Sequence, residues 1–344
     1  MPSTRKVVIT RRGGPEVLRL VEEELPEPAA GQVRVHVAAT GVAFADVLMR
    51  EGLYPTAPKP PFAPGYDIAG TVDKLGEGVT GVRPGQRVAA LIMVGGYADH
   101  ACVPADSLVP VPDGVDAAEA VALVLNFLTA YQMLHRSTRL RAGERILIHG
   151  AGGGVGDALL QLGKLAGLQM YGTASKEKHA TLSAAGAVPI DYRSEDFVER
   201  IRALTGDGVD AVFDAVGGKH WARSFAALRV GGALVGYGFS SATRKGRRHL
   251  PQAISNYLGM PRFQLLRLMD ATRAVMGFNV MVLKRARPEW YAEDLGALLG
   301  MLAERKLRPL IAERRPLAEA ARAHQLLDDA AVTGKIVLQC GGAW

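Results

Sequence analysis

The chain has 344 residues, 48% of them hydrophobic and 22% charged, which suits two globular domains of ordinary make-up. No apolar run approaches the roughly 18 residues of a membrane-spanning helix; no apolar leader follows Met1, and Cys102 and Cys340 are too few for a disulfide framework, so a reducing cytoplasm is the expected setting. The net charge of +7 is scattered and not interleaved with aromatics, which excludes a nucleic-acid-binding module.

In chain order, the first 115 or so residues read as strands and turns. Val33-Arg34-Val35-His36-Val37 alternates in the half-buried strand manner, and Gly, Pro and Asp punctuate the chain beyond it. Proline is dense from Tyr54 to Pro64, so an extended loop is expected there and not a helix. Asp116 to Leu134 turns into an Ala/Leu-rich helical pattern, which marks a domain boundary. From Arg145 strands and helices alternate. Strands are expected at Arg145–His149, Gln169–Ala174, Ala187–Tyr192, Val209–Val216 and Ala233–Phe239, with helices at Asp157–Ala166, Lys176–Ala185, Glu195–Leu204 and Trp221–Leu228. That texture implies a parallel, doubly wound sheet. The tract Arg244-Lys245-Gly246-Arg247-Arg248 reads as a solvated loop. Gln252–Met276 and Pro288–Arg305 look helical, and Lys335–Cys340 closes the chain as a strand.

The segment from His149 to Gly156 comes after a strand and opens a helix, with glycines at 150, 152, 153, 154 and 156. Glycines there let the backbone turn sharply against a pyrophosphate, and the helix N-terminus offers unpaired N–H groups. Gly150, Gly153, Gly154, Val155 and Gly156 are therefore candidate dinucleotide contacts. An NAD site usually has an acidic residue at the end of the second strand. Here that strand runs into Ala174-Ser175-Lys176-Glu177-Lys178. Ser175 and Lys178 suit a 2′-phosphate, and Tyr192 at the end of the third strand closes the same pocket, so NADPH is the expected cofactor. Glu177 is read as facing outward. In this fold strand C-termini border the ligand crevice, which adds Val216, Gly217, Tyr237 and Gly238.

Longer runs carry a family resemblance. They are Gly41 to Pro55, Pro64-Gly65-Tyr66-Asp67-Ile68-Ala69-Gly70, Leu75-Gly76-Glu77-Gly78-Val79, Pro84-Gly85-Gln86-Arg87-Val88, Asn126 to Tyr131, the glycine loop, and Thr333-Gly334-Lys335-Ile336-Val337-Leu338. Together they resemble the medium-chain dehydrogenase/reductase superfamily, in its zinc-free quinone oxidoreductase branch. Gly172-Thr173-Ala174-Ser175, Ile190-Asp191-Tyr192 and Thr272 to Asn279 resemble the vesicle amine transport protein subgroup.

The resemblance implies a GroES-like β-rich substrate domain over 1–122, completed by 283–344, and a Rossmann NADP-binding domain over 123–282, with a cleft between them. It assigns Asn126, Thr129, Phe278, Asn279 and Lys335 to the cofactor, and a homodimer through the sheet edge near Val275 to Val282. Zinc relatives carry Cys where this chain has Ala43, His where it has Tyr66, and a further Cys near Leu125; tetrahedral zinc needs about four N, S or O ligands, so no metal is expected. Quinone oxidoreductases usually have Asn at the position of Ala43, which weakens direct polar activation of a quinone carbonyl.

Without a metal, the acceptor of a hydride must itself spread the developing charge, as a quinone or α,β-unsaturated carbonyl does. Such a small electrophile is the expected partner. Tyr54, Tyr66 and Asp46 are the candidate catalytic residues, each with a purely structural alternative. His36, His100 and His135 are read as isolated. The alternative for the whole chain is a vesicle-type protein that binds lipid or a membrane through Ile254–Met269 beside the basic tract, with the dinucleotide as a structural ligand; in the enzyme reading no membrane contact is expected.

Overall fold

A computed structural model describes residues 2–244, 247–248 and 250–344, and side chains outside 244–253, so the side chains of the basic tract Arg244–Arg248 lie outside the described residues. Two compact units emerge, Met1–Leu128 with Met281–Trp344, and Thr129–Arg244 with Arg248–Val280.

The first unit opens with the antiparallel pair β1 (Ser3–Ile9) and β2 (Leu18–Glu24). Next come β3 (Gln32–Val42), helix α1 (Phe44–Glu51), β4 (Asp67–Leu75), β5 (Arg87–Leu91), β6 (His100–Pro104) and β7 (Val109–Pro110). The alternation seen in the sequence is real: Val33, Val35 and Val37 are fully buried, packed with Ile68, Val72, Val88 and Val103. No helix forms between Tyr54 and Pro64. Asp116 caps α2 (Ala117–Ala122) by accepting from the N–H groups of Ala118 and Glu119. That helix continues through π turns and α3 (Leu128–Tyr131) to Thr138. It is long and apolar enough to cross a membrane, contrary to the sequence expectation, but 83% of its apolar stretch is buried in the protein, as in a core helix.

The second unit alternates β8 (Arg145–His149), α4 (Gly154–Leu165), β9 (Gln169–Ala174), α5 (His179–Ala184), β10 (Ala187–Asp191), α6 (Phe197–Thr205), β11 (Val209–Asp214), α7 (His220–Ala226) and β12 (Leu228–Gly236). After the two-residue strands β13 (Thr243–Arg244) and β14 (Arg247–Arg248) come α8 (Leu250–Leu258), α9 (Leu265–Ala271) and β15 (Ala274–Gly277). The large sheet is parallel throughout, in the order β10-β9-β8-β11-β12-β15. The single helical stretch expected from Gln252 to Met276 is therefore two helices and a strand. Gly259 and Pro261 interrupt the first, and Thr272 with φ 47° turns the chain into β15.

The chain then forms α10 (Val280–Ala286) and, in the first unit, α11 (Pro288–Ala303), β16 (Ile311–Pro316), α12 (Ala320–Asp328) and β17 (Lys335–Gln339). β17 pairs with β3, so the C-terminus completes the N-terminal sheet in the order β16-β17-β3-β4-β5-β7, with β6 also on β3. His36 and His100 face one another across β3 and β6 with their rings stacked 4.3 Å apart, so they are not isolated as the sequence suggests.

Candidate functional site

A parallel sheet puts all its carboxyl ends along one edge. Here β8 leads into the glycine loop, β9 into Ser175, β10 into Tyr192, β11 into Val216–Gly217, β12 into Tyr237–Gly238 and β15 into Phe278–Asn279. The chain runs from β8 outward through β9 and β10, then returns to β11 on the other flank. The switch point between β8 and β11 is where such sheets open a crevice for a ligand.

At that point Gly150 takes φ 67°, a left-handed turn that an L side chain resists, and a Cβ there would meet nothing within 4 Å. The loop is held by Gly153 N–H donating to Gly150 O at 2.9 Å and Ala151 N–H donating to Thr173 O at 3.0 Å. Gly153 is the N-cap of α4, whose 12 residues give it a full N-terminal dipole. Gly156 lies where a Cβ would fall 2.5 Å from the Ala151 carbonyl. This is the close helix-to-strand approach that a pyrophosphate cradle needs.

Ser175, Lys178 and Tyr192 gather at the neighbouring strand ends. Burial lowers the Lys178 ammonium below its ordinary range, with Glu177 opposing and Arg193 adding to the fall. Glu177 is exposed, but it does not simply point away as expected: it accepts from the Ser175 hydroxyl and from Arg193 at 3.2 Å. Nothing in the sequence singles out Arg193; its guanidinium stands 5.7 Å from the Tyr192 ring centroid. The Ser175 hydroxyl and the Arg193 guanidinium thus meet at one exposed carboxylate, with Lys178 close enough to feel its charge, and hydroxyl and cationic donors of this kind suit a phosphate dianion.

In the first unit, the hydroxyls of Tyr54 and Tyr66 are 2.5 Å apart, with the rings edge to face. Burial, reinforced by the bond to Tyr54, pushes the Tyr66 phenol well above the ordinary range, so it stays protonated. Asp46 is completely buried; it accepts from Ala43 N–H at 2.9 Å and Gly65 N–H at 3.0 Å. It caps α1 and pins the Pro64–Gly65 turn, so the structure gives it the bracing part and not direct contact with a substrate. Burial pushes its carboxyl up to about 7. In the unfolded chain it titrates near 3.8, so the folded state holds the extra proton between these values. Relative to Asp46→Asn, wild-type stability should therefore rise as pH falls from about 7 to about 4, by up to about 1.4 kcal/mol per pH unit. Denaturant melts of both proteins across that range check this; a constant difference would contradict it.

Lys335, expected beside the cofactor, lies in the first unit. Its ammonium is buried and paired with Asp67 at 2.8 Å, while Asp67 also accepts from Gly41 N–H. The side chain ties β17 to the start of β4 through that pair. Asn126 and Thr129 are buried on the long helix, and Phe278 is half-buried beside exposed Asn279. At the positions that the resemblance compares with zinc ligands, Ala43 offers no donor atom and Tyr66 is a protonated phenol, and Leu125, near the third, is apolar, so these residues do not fit a catalytic zinc.

Two family models match, the alcohol dehydrogenase GroES-like domain over residues 29–113 and the zinc-binding dehydrogenase over residues 182–338. The synaptic vesicle membrane protein VAT-1 homolog of Rattus norvegicus is 33% identical over 99% of this chain and 85% of its own length. The structure of Escherichia coli quinone oxidoreductase complexed with NADPH superposes with a TM-score of 0.87 at 31% identity, covering 97% of this chain and 99% of that one. Human VAT-1 homolog-like protein gives a TM-score of 0.85 at 28% identity, over 100% of both chains. The chain belongs to the medium-chain dehydrogenase/reductase superfamily. Within it, VAT-1 homologues and zinc-free quinone oxidoreductases are the proteins it is similar to.

Proposed function

We propose that the chain is an NADPH-dependent reductase of quinones or α,β-unsaturated carbonyls that works without a metal. The observation that carries this is the Tyr54–Tyr66 hydroxyl pair, with Tyr66 at the position where the family resemblance puts a zinc-binding His in zinc relatives. NADPH, when bound, supplies a hydride to the acceptor. Gly150 to Gly156 would hold its pyrophosphate, and Ser175, Lys178, Tyr192 and Arg193 its 2′-phosphate; two NADPH-complexed relatives, from Escherichia coli and a mycobacterium, support that reading.

The protein's own task is one proton. Tyr66 keeps its hydrogen and donates it to the Tyr54 oxygen, which leaves the Tyr54 O–H to donate to a carbonyl oxygen. As negative charge grows on that oxygen, the Tyr54 proton moves to it, the Tyr66 O–H stabilises the Tyr54 phenolate through their hydrogen bond, and water restores the half-buried Tyr54. Removing one such donor typically costs about 10²-fold or more. Tyr54→Phe should therefore lower kcat with an ortho-quinone by about 10²-fold and leave NADPH affinity unchanged, measured with chelator present. Undiminished turnover would remove the proton relay, and no turnover of any quinone or enone by wild type would remove the enzyme reading.

β15 is an edge strand of the parallel sheet, and beside it Leu265, Leu266 and Met269 are 62–73% exposed. A second copy of the chain is the proposed cover. The second reading is a membrane contact, favoured by Ile254, Tyr257 and Leu258, exposed by 56–77% on α8. A dimeric mass with no sedimentation on anionic liposomes supports the first; a monomer that sediments and is released by salt supports the second. The half-buried, unbridged cysteines fit the proposed cytoplasmic setting.

A further inference from the structure

Beneath the glycine loop lies a polar cluster that the proposed reaction does not use. His149 ends β8, Asp214 ends β11, and Ser224 and His220 come from α7. Asp214 and Ser224 are completely buried, His149 is 1% exposed and Thr173 3%. The contacts run in series: Thr173 Oγ1 to His149 Nδ1 at 3.0 Å, His149 Nε2 to Ser224 Oγ at 3.2 Å, and Ser224 Oγ to Asp214 Oδ2 at 2.6 Å. His220 Nδ1 meets the same Oδ2 at 2.8 Å, and Oδ1 accepts the N–H groups of Val216 at 2.7 Å and Gly217 at 3.0 Å.

We propose that this network is a clamp that positions the three loops of the dinucleotide site, with Ser224 as its joint; the inference rests on the dinucleotide reading. His149 is the residue before Gly150, Thr173 stands two before Ser175, and Asp214 holds the Val216–Gly217 turn. One device therefore fixes the pyrophosphate loop, the 2′-phosphate strand end and the loop on the far side of the switch point.

Every proton in the series is determined. A carboxylate only accepts, so Ser224 gives its single hydrogen to Asp214 and must accept from His149. His149 is then neutral with its proton on Nε2, and its bare Nδ1 accepts from Thr173. Electrostatics agree: burial, with His220 and Arg223 adding, pushes the His149 imidazole down to about 3, against the pull of Asp214. Burial opposes ionisation of Asp214, but hydrogen bonds from His220 and Ser224 and the neighbouring imidazoles hold it well below the usual carboxylate range. The donor atoms of His149, Asp214 and His220 lie within 4.8 Å of one another, as metal ligands would. Ser224 Oγ contacts all three, at 3.2, 2.6 and 3.3 Å, so the cluster is closed on itself.

The test combines ¹⁵N NMR of histidine-labelled full-length protein, free of dinucleotide, with NADPH titration of wild type and Ser224→Ala. His149 should show protonated Nε2 and bare Nδ1, unchanged from about pH 5 to 8. Ser224→Ala should raise the NADPH dissociation constant about 10-fold, as expected for an orphaned buried donor, with kcat at saturating NADPH within about 2-fold of wild type. An Nδ1-protonated His149, a His149 that titrates near its ordinary value, or wild-type affinity in Ser224→Ala overturns the clamp. Wild-type protein that binds no NADPH while His149 keeps the Nε2–H form supports the network and overturns the dinucleotide reading instead.

Discussion

Gly156→Ala is expected to raise the NADPH dissociation constant at least about 100-fold, a loss of about 2.7 kcal/mol. The added Cβ would fall 2.5 Å from the carbonyl carbon and oxygen of Ala151 and 2.6 Å from its Cα. These are backbone atoms, so no rotamer change relieves the clash, and either α4 slides outward or the loop is pushed toward the pyrophosphate position. Both moves displace the N–H groups that would hold the phosphates. Overpacking of this kind costs about 1–3 kcal/mol in stability, so circular dichroism should still find a folded chain with a lowered melting temperature. Fluorescence titration reads the binding loss, and affinity within about 3-fold of wild type would contradict the loop assignment.

Lys335→Met is expected to destabilise the first unit by about 3–5 kcal/mol, because it leaves Asp67 as a buried charge without its partner. The Asp67 carboxylate is fully buried and would keep the Gly41 N–H as its donor. Adding Asp67→Asn should recover much of the loss, since a neutral amide is far less costly to bury. Urea melts measure both variants. A wild-type midpoint for Lys335→Met, together with lost NADPH binding, would return Lys335 to the cofactor.

What is legible in the sequence divides along physical lines. The strand–loop–helix unit around Gly150 is local: its turn, its helix start and its chemistry are set within eight consecutive residues. The same holds for Ser175, Lys178 and Tyr192, each placed by the end of a strand whose apolar run is plain. Arg193 escapes a reading of the sequence although it adjoins Tyr192, because its part comes from reaching Glu177 across two strand ends. β15 reads as helix because Ala274 to Gly277 is four residues without a β-branched run, and only its pairing with β12 makes it a strand. Lys335 is the opposite case. Its motif is local, but its partner Asp67 is 268 residues away, and nothing in spacing reveals such a pair. The Tyr54–Tyr66 contact is intermediate: both residues stand out singly, and the fold brings their hydroxyls together.

The carboxyl edge of the parallel sheet is the proposed seat of a phosphorylated dinucleotide. Titration of wild type and of the Lys178→Ala/Arg193→Ala double variant with NADPH and with NADH tests it most directly. Wild type should bind NADPH at least about 10-fold more tightly than NADH, as two charge-assisted contacts to one phosphate require. The double variant should lose that preference and keep its NADH affinity. Equal affinity of wild type for the two, or tighter binding of NADH, would contradict the claim.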